Sequence, residues 1–228
     1  MLKAIIFDLD DTLYPEREFV LSGFRAVALW VEDNMGIDST DCYQELVHLF
    51  ENNAHGRTFD LFLENHGLLS ASAVQEMVQI YRTHYPEIVC FPEIPDVLIQ
   101  LKKRFKIGLL SDGYLDVQKR KLEALGLRHY FDAVVFSDQW GRKAWKPNPR
   151  PFKTILEILA ITARQAVYIA DNPIKDFLGA RRAGMASIRI RLEGGIYNDI
   201  EPRSDDYRPD VEIMNFQQLG EKLSAISS

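Results

Sequence analysis

Five short apolar runs recur along the chain: AIIFDL at 4–9, KIGLLSD at 106–112, AVVFSD at 133–138, AVYIAD at 166–171 and ASIRIR at 186–191. The first four stay apolar until they meet an acid. That is how strands read when both faces of a parallel sheet are covered. The fifth is less apolar, which predicts a place nearer the sheet edge. Before each run after the first lies a stretch with helical spacing: DVLIQLKKRF at 96–105, DVQKRKLEALG at 116–126, PRPFKTILEILAI at 149–161 and IKDFLGARRAG at 174–184. Gly126 stands where a left-handed C-terminal cap is wanted. Strands alternating with helices predict an α/β fold, a Rossmann-like parallel sheet with right-handed crossovers and flanking helices. Residues 193–210 are polar and turn-rich, and VEIMNF after them is a candidate edge strand followed by a closing helix.

Residues 17–90 break this alternation. FVLSGFRAVALWVEDNMG, DCYQELVHLFENNA and the stretch around AVQEMVQIYRTHY carry helical periodicity, and no strand pattern appears. The expectation is an all-helical domain, 17–90, inserted into a core formed by 1–16 and 91–228. Hinges would lie near Tyr14-Pro15 and between Pro92 and Pro95. Phe24, Trp30, Phe50 and Phe62 fall at helical spacing and read as the insert's own core. Arg17, His55 and Arg57 are polar groups of the insert that could face a cavity, and are most simply solvated.

Composition narrows the class. The 228 residues are 46% hydrophobic and 26% charged, with a net charge of −6. An acidic balance argues against a nucleic-acid footprint, and Lys119-Arg120-Lys121 reads as a solvated helix face. No apolar run approaches the ~20 residues that cross a bilayer, and no signal-peptide pattern opens the chain. Cys42 and Cys90 lack metal-site spacing and read as free thiols in a reducing compartment. The five histidines show no ligand or triad spacing. The expectation is a cytoplasmic protein with no membrane or nucleic-acid partner.

The acids carry the candidate chemistry. Asp8, Asp112, Asp138 and Asp171 each end an apolar run, and the C-terminal edge of an open parallel sheet is where ligands bind. Carboxylates gathered there repel one another, and an unpaired buried carboxylate is costly. A bound cation resolves this, and hard oxygen ligands without His or Cys suit Mg²⁺. Asp11 and Asp138 read as turn or cap residues.

Four motifs, in order, resemble those of the haloacid dehalogenase (HAD) superfamily of aspartate-nucleophile phosphotransferases. They are DLDDT at 8–12 (D-x-D-x-T), LLSDG at 109–113, WKPNPRPF at 145–152 (K-P-x-P-x-x-F) and ADNPIKD at 170–176 (D-x4-D). The resemblance implies a HAD core with a helical C1-type cap over the active site. It also implies a Mg²⁺-dependent phosphatase acting on a small phosphorylated metabolite. Asp8 would be the nucleophile and Asp10 the acid–base. Asp8, the backbone carbonyl of Asp10 and Asp171 would hold the metal, with Asp176 behind them. Lys146 would stabilise transition-state charge, and Thr12, Ser111, Asp112 and Lys146 would hold the phosphate. Asp112 stands where Asn is common, and Ala170 where Gly is usual. Lys143 is a rival to Lys146 without the Pro spacing. A β-phosphoglucomutase-type mutase would use the same residues. A dehalogenase would not need Asp10, and a non-catalytic binding module would need neither Asp8 nor Asp10. The core leaves the substrate open.

Overall fold

The computed structural model describes residues 1–52, 54 and 56–227, without the side chain of Ser227; His55 lies outside the described residues. The chain falls into two compact units, one of Met1–Glu16 with Val89–Ser228 and one of Arg17–Ile88.

The first unit is built on six strands: β1 (Ala4–Phe7), β2 (Lys106–Ser111), β3 (Ala133–Phe136), β4 (Ala166–Ala170), β5 (Ala186–Ile190) and β6 (Val211–Ile213). All neighbours pair in parallel, in the order β3-β2-β1-β4-β5-β6. The less apolar ASIRIR run is the penultimate strand, and VEI closes that edge. The runs are buried because both faces are covered. Ile6, Leu110, Val135 and Tyr168 pack with Phe152, Ile155 and Phe177 in one cluster. Ile5, Phe7, Ile107, Leu109, Val167 and Ile169 alternate with the sheet members of that cluster and are also fully buried.

Five helices of this unit fall where the spacing predicts: α5 (Ile94–Lys102), α6 (Leu115–Ala124), α7 (Arg150–Leu159), α8 (Asp176–Ala183) and α9 (Leu219–Ser227). Gly126 and Gly184 take positive φ just beyond α6 and α8, where a side chain would strain the turn. Where α7 meets α8, a Cβ on Gly179 would come within 2.4 Å of the fully buried Phe152 ring. Gly179→Ala gains roughly 1 kcal/mol of helix propensity but overpacks a ring with nowhere to go, at about 1–3 kcal/mol. The expected result is a melting temperature lower by a few degrees in thermal unfolding; an unchanged or raised value would show that the ring can yield.

The second unit is helical: α1 (Glu16–Met35, whose first residue belongs to the sheet unit), α2 (Ser39–Glu51), α3 (Thr58–Asn65) and α4 (Ala71–Thr83). Its core holds Phe24, Leu46, Phe62 and Met77, with Trp30 and Phe50 packed against them. Helix α3 was not expected from the pattern; eight residues give barely two turns of periodicity. Arg17 pairs with Glu51 at 2.5 Å, both half exposed, and Arg57 is exposed. Neither Cys42 nor Cys90 is in a disulfide, and burial pushes the Cys42 thiol up to about 12. Among the described residues no helix is long and apolar enough to cross a membrane.

Candidate active site

The strand order reverses its direction of growth between β1 and β4, so a crevice opens beyond their C-terminal ends. Asp8 follows β1 and Asp171 follows β4. Asp176, the first residue of α8, is fully buried. One oxygen of each of these three acids lies within 4.8 Å of the others. Lys146 reaches them from the loop before α7. Its ammonium is 2.9 Å from Asp8 Oδ2, 2.7 Å from Asp176 Oδ1, and donates to Tyr168 Oη at 2.8 Å. Tyr168 Oη donates to Asp176 Oδ1, and the Asn172 amide donates to Asp176 Oδ2, both at 3.2 Å. Lys143 is exposed, so only one of the two candidate lysines enters the site.

The electrostatics follow from burial. Burial lifts the Asp8 carboxyl above its ordinary value against the pull of Lys146. Burial, then the charges of Asp176 and Asp8, lift Asp171 well above the usual carboxylate range. Among the described residues Asp171 makes no salt bridge, so this buried acid lacks a direct counter-charge. Lys146 is raised well above its ordinary value, since Asp176 and Asp8 outweigh its burial. Three hard oxygen ligands, one without a cation, fit a small divalent ion such as Mg²⁺.

The remaining motif residues arrange themselves around this cluster. After Leu9 the chain turns sharply: Leu13 N–H donates to Leu9 O at 2.9 Å, and Asp11 sits at φ 51°. Asp11 accepts from Glu16 N–H at 2.8 Å and Ile196 N–H at 2.9 Å, so it caps α1 and pins the tail loop. Asp138 likewise takes structural bonds, from Leu115 N–H at 3.0 Å and Trp145 Nε1 at 2.9 Å. The Asp10 carboxylate stands outside the acid cluster. It accepts from Tyr14 Oη at 2.5 Å, Gln118 Nε2 at 2.7 Å and Lys121 Nζ at 2.6 Å. Burial pushes its pKa up, but Lys121 and these hydrogen bonds bring it below the ordinary value. Burial and the Asp10 charge push Glu16 up to about 7. Ser111 is buried, and its Oγ accepts from Gln118 Nε2 at 2.7 Å. Thr12 Oγ1 is buried without a hydrogen-bond partner among the described residues.

Asp112 lines the same cleft as Asp8 and Lys146. Its carboxylate accepts from Ser137 Oγ at 2.5 Å and from the Lys146 amide at 3.1 Å, and lies 3.7 Å from Lys175 Nζ. It thereby fixes the backbone of Lys146.

Lys121 corrects the expected solvated face: Lys119 is exposed there, but the Lys121 side chain is only 4% exposed. Its signal was present, because it lies four residues after Val117 and beside Leu122 on the buried stripe of α6. Tyr197, from the tail loop, lines the cleft with Trp145, Asn172 and Lys175; nothing in its sequence neighbourhood marks it. Arg189, fully buried, donates to the Asp171 carbonyl at 3.0 Å and to Tyr197 O at 2.7 Å, and so ties that loop to β4. The cleft measures about 370 Å³, room for a small ligand.

The family model of haloacid dehalogenase-like hydrolases matches residues 5–190. The chain belongs to this family. Among its HAD-like relatives, a protein of Methanopyrus kandleri named glyceraldehyde 3-phosphate phosphatase is 37% identical over 230 residues, with 96% of each chain covered. A protein of Methanothermobacter thermautotrophicus with the same name is 31% identical, covering 85% of this HAD-like chain and 87% of its own. The crystal structure of a 2-haloacid dehalogenase from Pseudomonas syringae superposes with a TM-score of 0.68 at 26% identity, covering 99% of both chains.

Proposed function

We propose that this HAD-like hydrolase is a Mg²⁺-dependent phosphatase that cleaves a small phosphomonoester through an aspartyl-phosphate on Asp8. The carrying observation is the pairing of the Asp8–Asp171–Asp176 cluster with the buried Lys146 at the switch point of the sheet. It is a hydrolase of phosphoric monoesters, and a triose phosphate is its first candidate substrate, since the relatives above act by name on glyceraldehyde 3-phosphate.

The Asp8 carboxylate attacks phosphorus and displaces the alcohol, whose oxygen takes a proton from Asp10 in its carboxylic-acid form, the minority form beside Lys121. Asp10 then takes a proton from the water that cleaves the acyl phosphate. Lys146 faces the nucleophile and offsets negative charge on the transferring phosphoryl group. Ser111, Thr12 and backbone amides of the β1 loop hold the phosphate oxygens. Asp8, Asp171 and the backbone carbonyl of Asp10 would hold the Mg²⁺. Asp176 orients Lys146 and the acid cluster from behind. The ion, when bound, offsets the repulsion between an anionic ester and an anionic nucleophile. By its place in the chain, the helical unit Arg17–Ile88 corresponds to the family's cap domain.

The dehalogenase reading draws on the Pseudomonas syringae structure. Asp10 weighs against it, because a halide leaves without a proton and needs no acid–base carboxyl two residues beyond the nucleophile.

Phosphate release from a panel of small phosphoesters, triose phosphates included, tests the reading. Release should require Mg²⁺ and stop in EDTA. Undiminished release in EDTA would remove the metal from the proposal. Halide release from 2-haloacids with no phosphate release would replace the phosphatase by the dehalogenase.

A further inference from the structure

We propose that Gln118 and Lys121 of α6 form a buried clamp that positions the Asp10 carboxylate and the Ser111 hydroxyl for phosphoryl transfer, a proposal that rests on Asp10 being the proton donor to the leaving group. The two residues are three apart and therefore share a helix face. Gln118 is 1% exposed and Lys121 3% exposed. A helix stripe that also holds Val117 and Leu122 would be filled at lower cost by apolar side chains. The chain instead places an ammonium and an amide there, each aimed at a motif residue.

The contacts are specific. Lys121 Nζ lies 2.6 Å from Asp10 Oδ1, and Gln118 Nε2 lies 2.7 Å from Asp10 Oδ2. Both carboxylate oxygens are thereby fixed, and with them the two side-chain torsions of Asp10. The same Gln118 Nε2 lies 2.7 Å from Ser111 Oγ at the end of β2. One amide thus bridges the β1 loop and β2, and Gly113 leaves it room, since a Cβ there would come within 3.0 Å of the Gln118 side chain. Proton transfer depends on a donor held within hydrogen-bond reach, and a displacement of about 1 Å can cost roughly 10²-fold. Neither residue needs to touch the substrate; both act through Asp10 and Ser111.

The test compares leaving groups. An alkoxide needs a proton as it departs, whereas p-nitrophenolate does not. kcat/KM is measured for p-nitrophenyl phosphate and for the alkyl monoester turned over fastest in the panel above. The proteins are the parent, Asp10→Asn, Lys121→Met, Lys121→Arg and the Asp10→Asn/Lys121→Met double variant. Asp10→Asn should lose on the order of 10²–10⁴-fold on the alkyl ester and far less on the aryl ester. Lys121→Met should lose about 10²-fold on the alkyl ester, and at least tenfold less on the aryl ester. Lys121→Arg should recover part of the loss, and the double variant should match Asp10→Asn. Equal losses on both esters for Lys121→Met, or losses that multiply in the double variant, would overturn the clamp while leaving Asp10 in its role. Equal losses for Asp10→Asn itself would instead remove Asp10 as the acid, and the clamp with it. If Lys121→Met does not fold, Gln118→Leu and Lys121→Arg carry the same comparison.

Discussion

Asp8→Asn should abolish turnover and leave the protein at least as stable as its parent. An amide cannot form the acyl phosphate, so kcat should fall by about 10⁴-fold or more, roughly 5 kcal/mol of barrier at 1.36 kcal/mol per decade. Acid-quenched phosphoenzyme should be found in the parent and be missing in the variant. The stability half follows from the charges. Burial holds the Asp8 carboxyl above its ordinary value. Its ionised form is therefore less favourable in the folded chain than in the unfolded one, and this penalty is present at neutral pH. An isosteric neutral side chain removes the penalty, together with the repulsion from Asp171 and Asp176, and gives up the Lys146 pair. In EDTA the melting temperature should hold or rise. Retained phosphatase activity would sink the nucleophile, and a large drop in melting temperature would show that the Asp8–Lys146 pair holds the fold.

Lys146→Met should do the opposite: it should damage activity and stability together. The Lys146 side chain is fully buried and paired with two carboxylates and a tyrosine hydroxyl. Its pKa is raised by Asp176 and Asp8 in spite of burial, so its charge stabilises the fold at all pH values below its range. Removing one partner of a buried ion pair costs about 3–5 kcal/mol because the other partner is left uncompensated. For a chain of this size that is a fall of roughly 10 °C, read by thermal unfolding in EDTA. kcat should fall by about 10³-fold with the loss of charge at the transferring group. Mg²⁺ should return part of the stability by supplying positive charge to Asp8 and Asp171, without returning the activity. A Lys146→Met protein with parental melting behaviour would show that the acids are not ionised together.

The sequence was most legible where local pattern and global position agree. Continuous apolar runs ending in acids could be strands of a covered parallel sheet, and they are: β1, β2, β3 and β4 end within two residues of the acids that close their runs. That Asp8 and Asp171 close strand runs follows from this pattern; that their strands, β1 and β4, lie side by side is a property of the folded sheet. Strand identity is carried by residues adjacent in the chain, so a single sequence holds it. The short α3 was not legible, because eight residues leave too little period to read against their surroundings.

What the tertiary structure alone decided is which polar groups meet. Asp10 and Lys121 are 111 residues apart, yet their charges lie 2.6 Å from each other. Asp112 meets the amide of Lys146, 34 residues on, and Tyr197 reaches the cleft on a loop that Arg189 and Asp11 hold. The physical reason is one of range. Hydrophobic periodicity is set by neighbours three or four residues away, so it survives in the sequence as a pattern. The partner of a buried charge is set by whichever element packs across it, and the cost of leaving that charge unpaired appears only once the chain has closed around it.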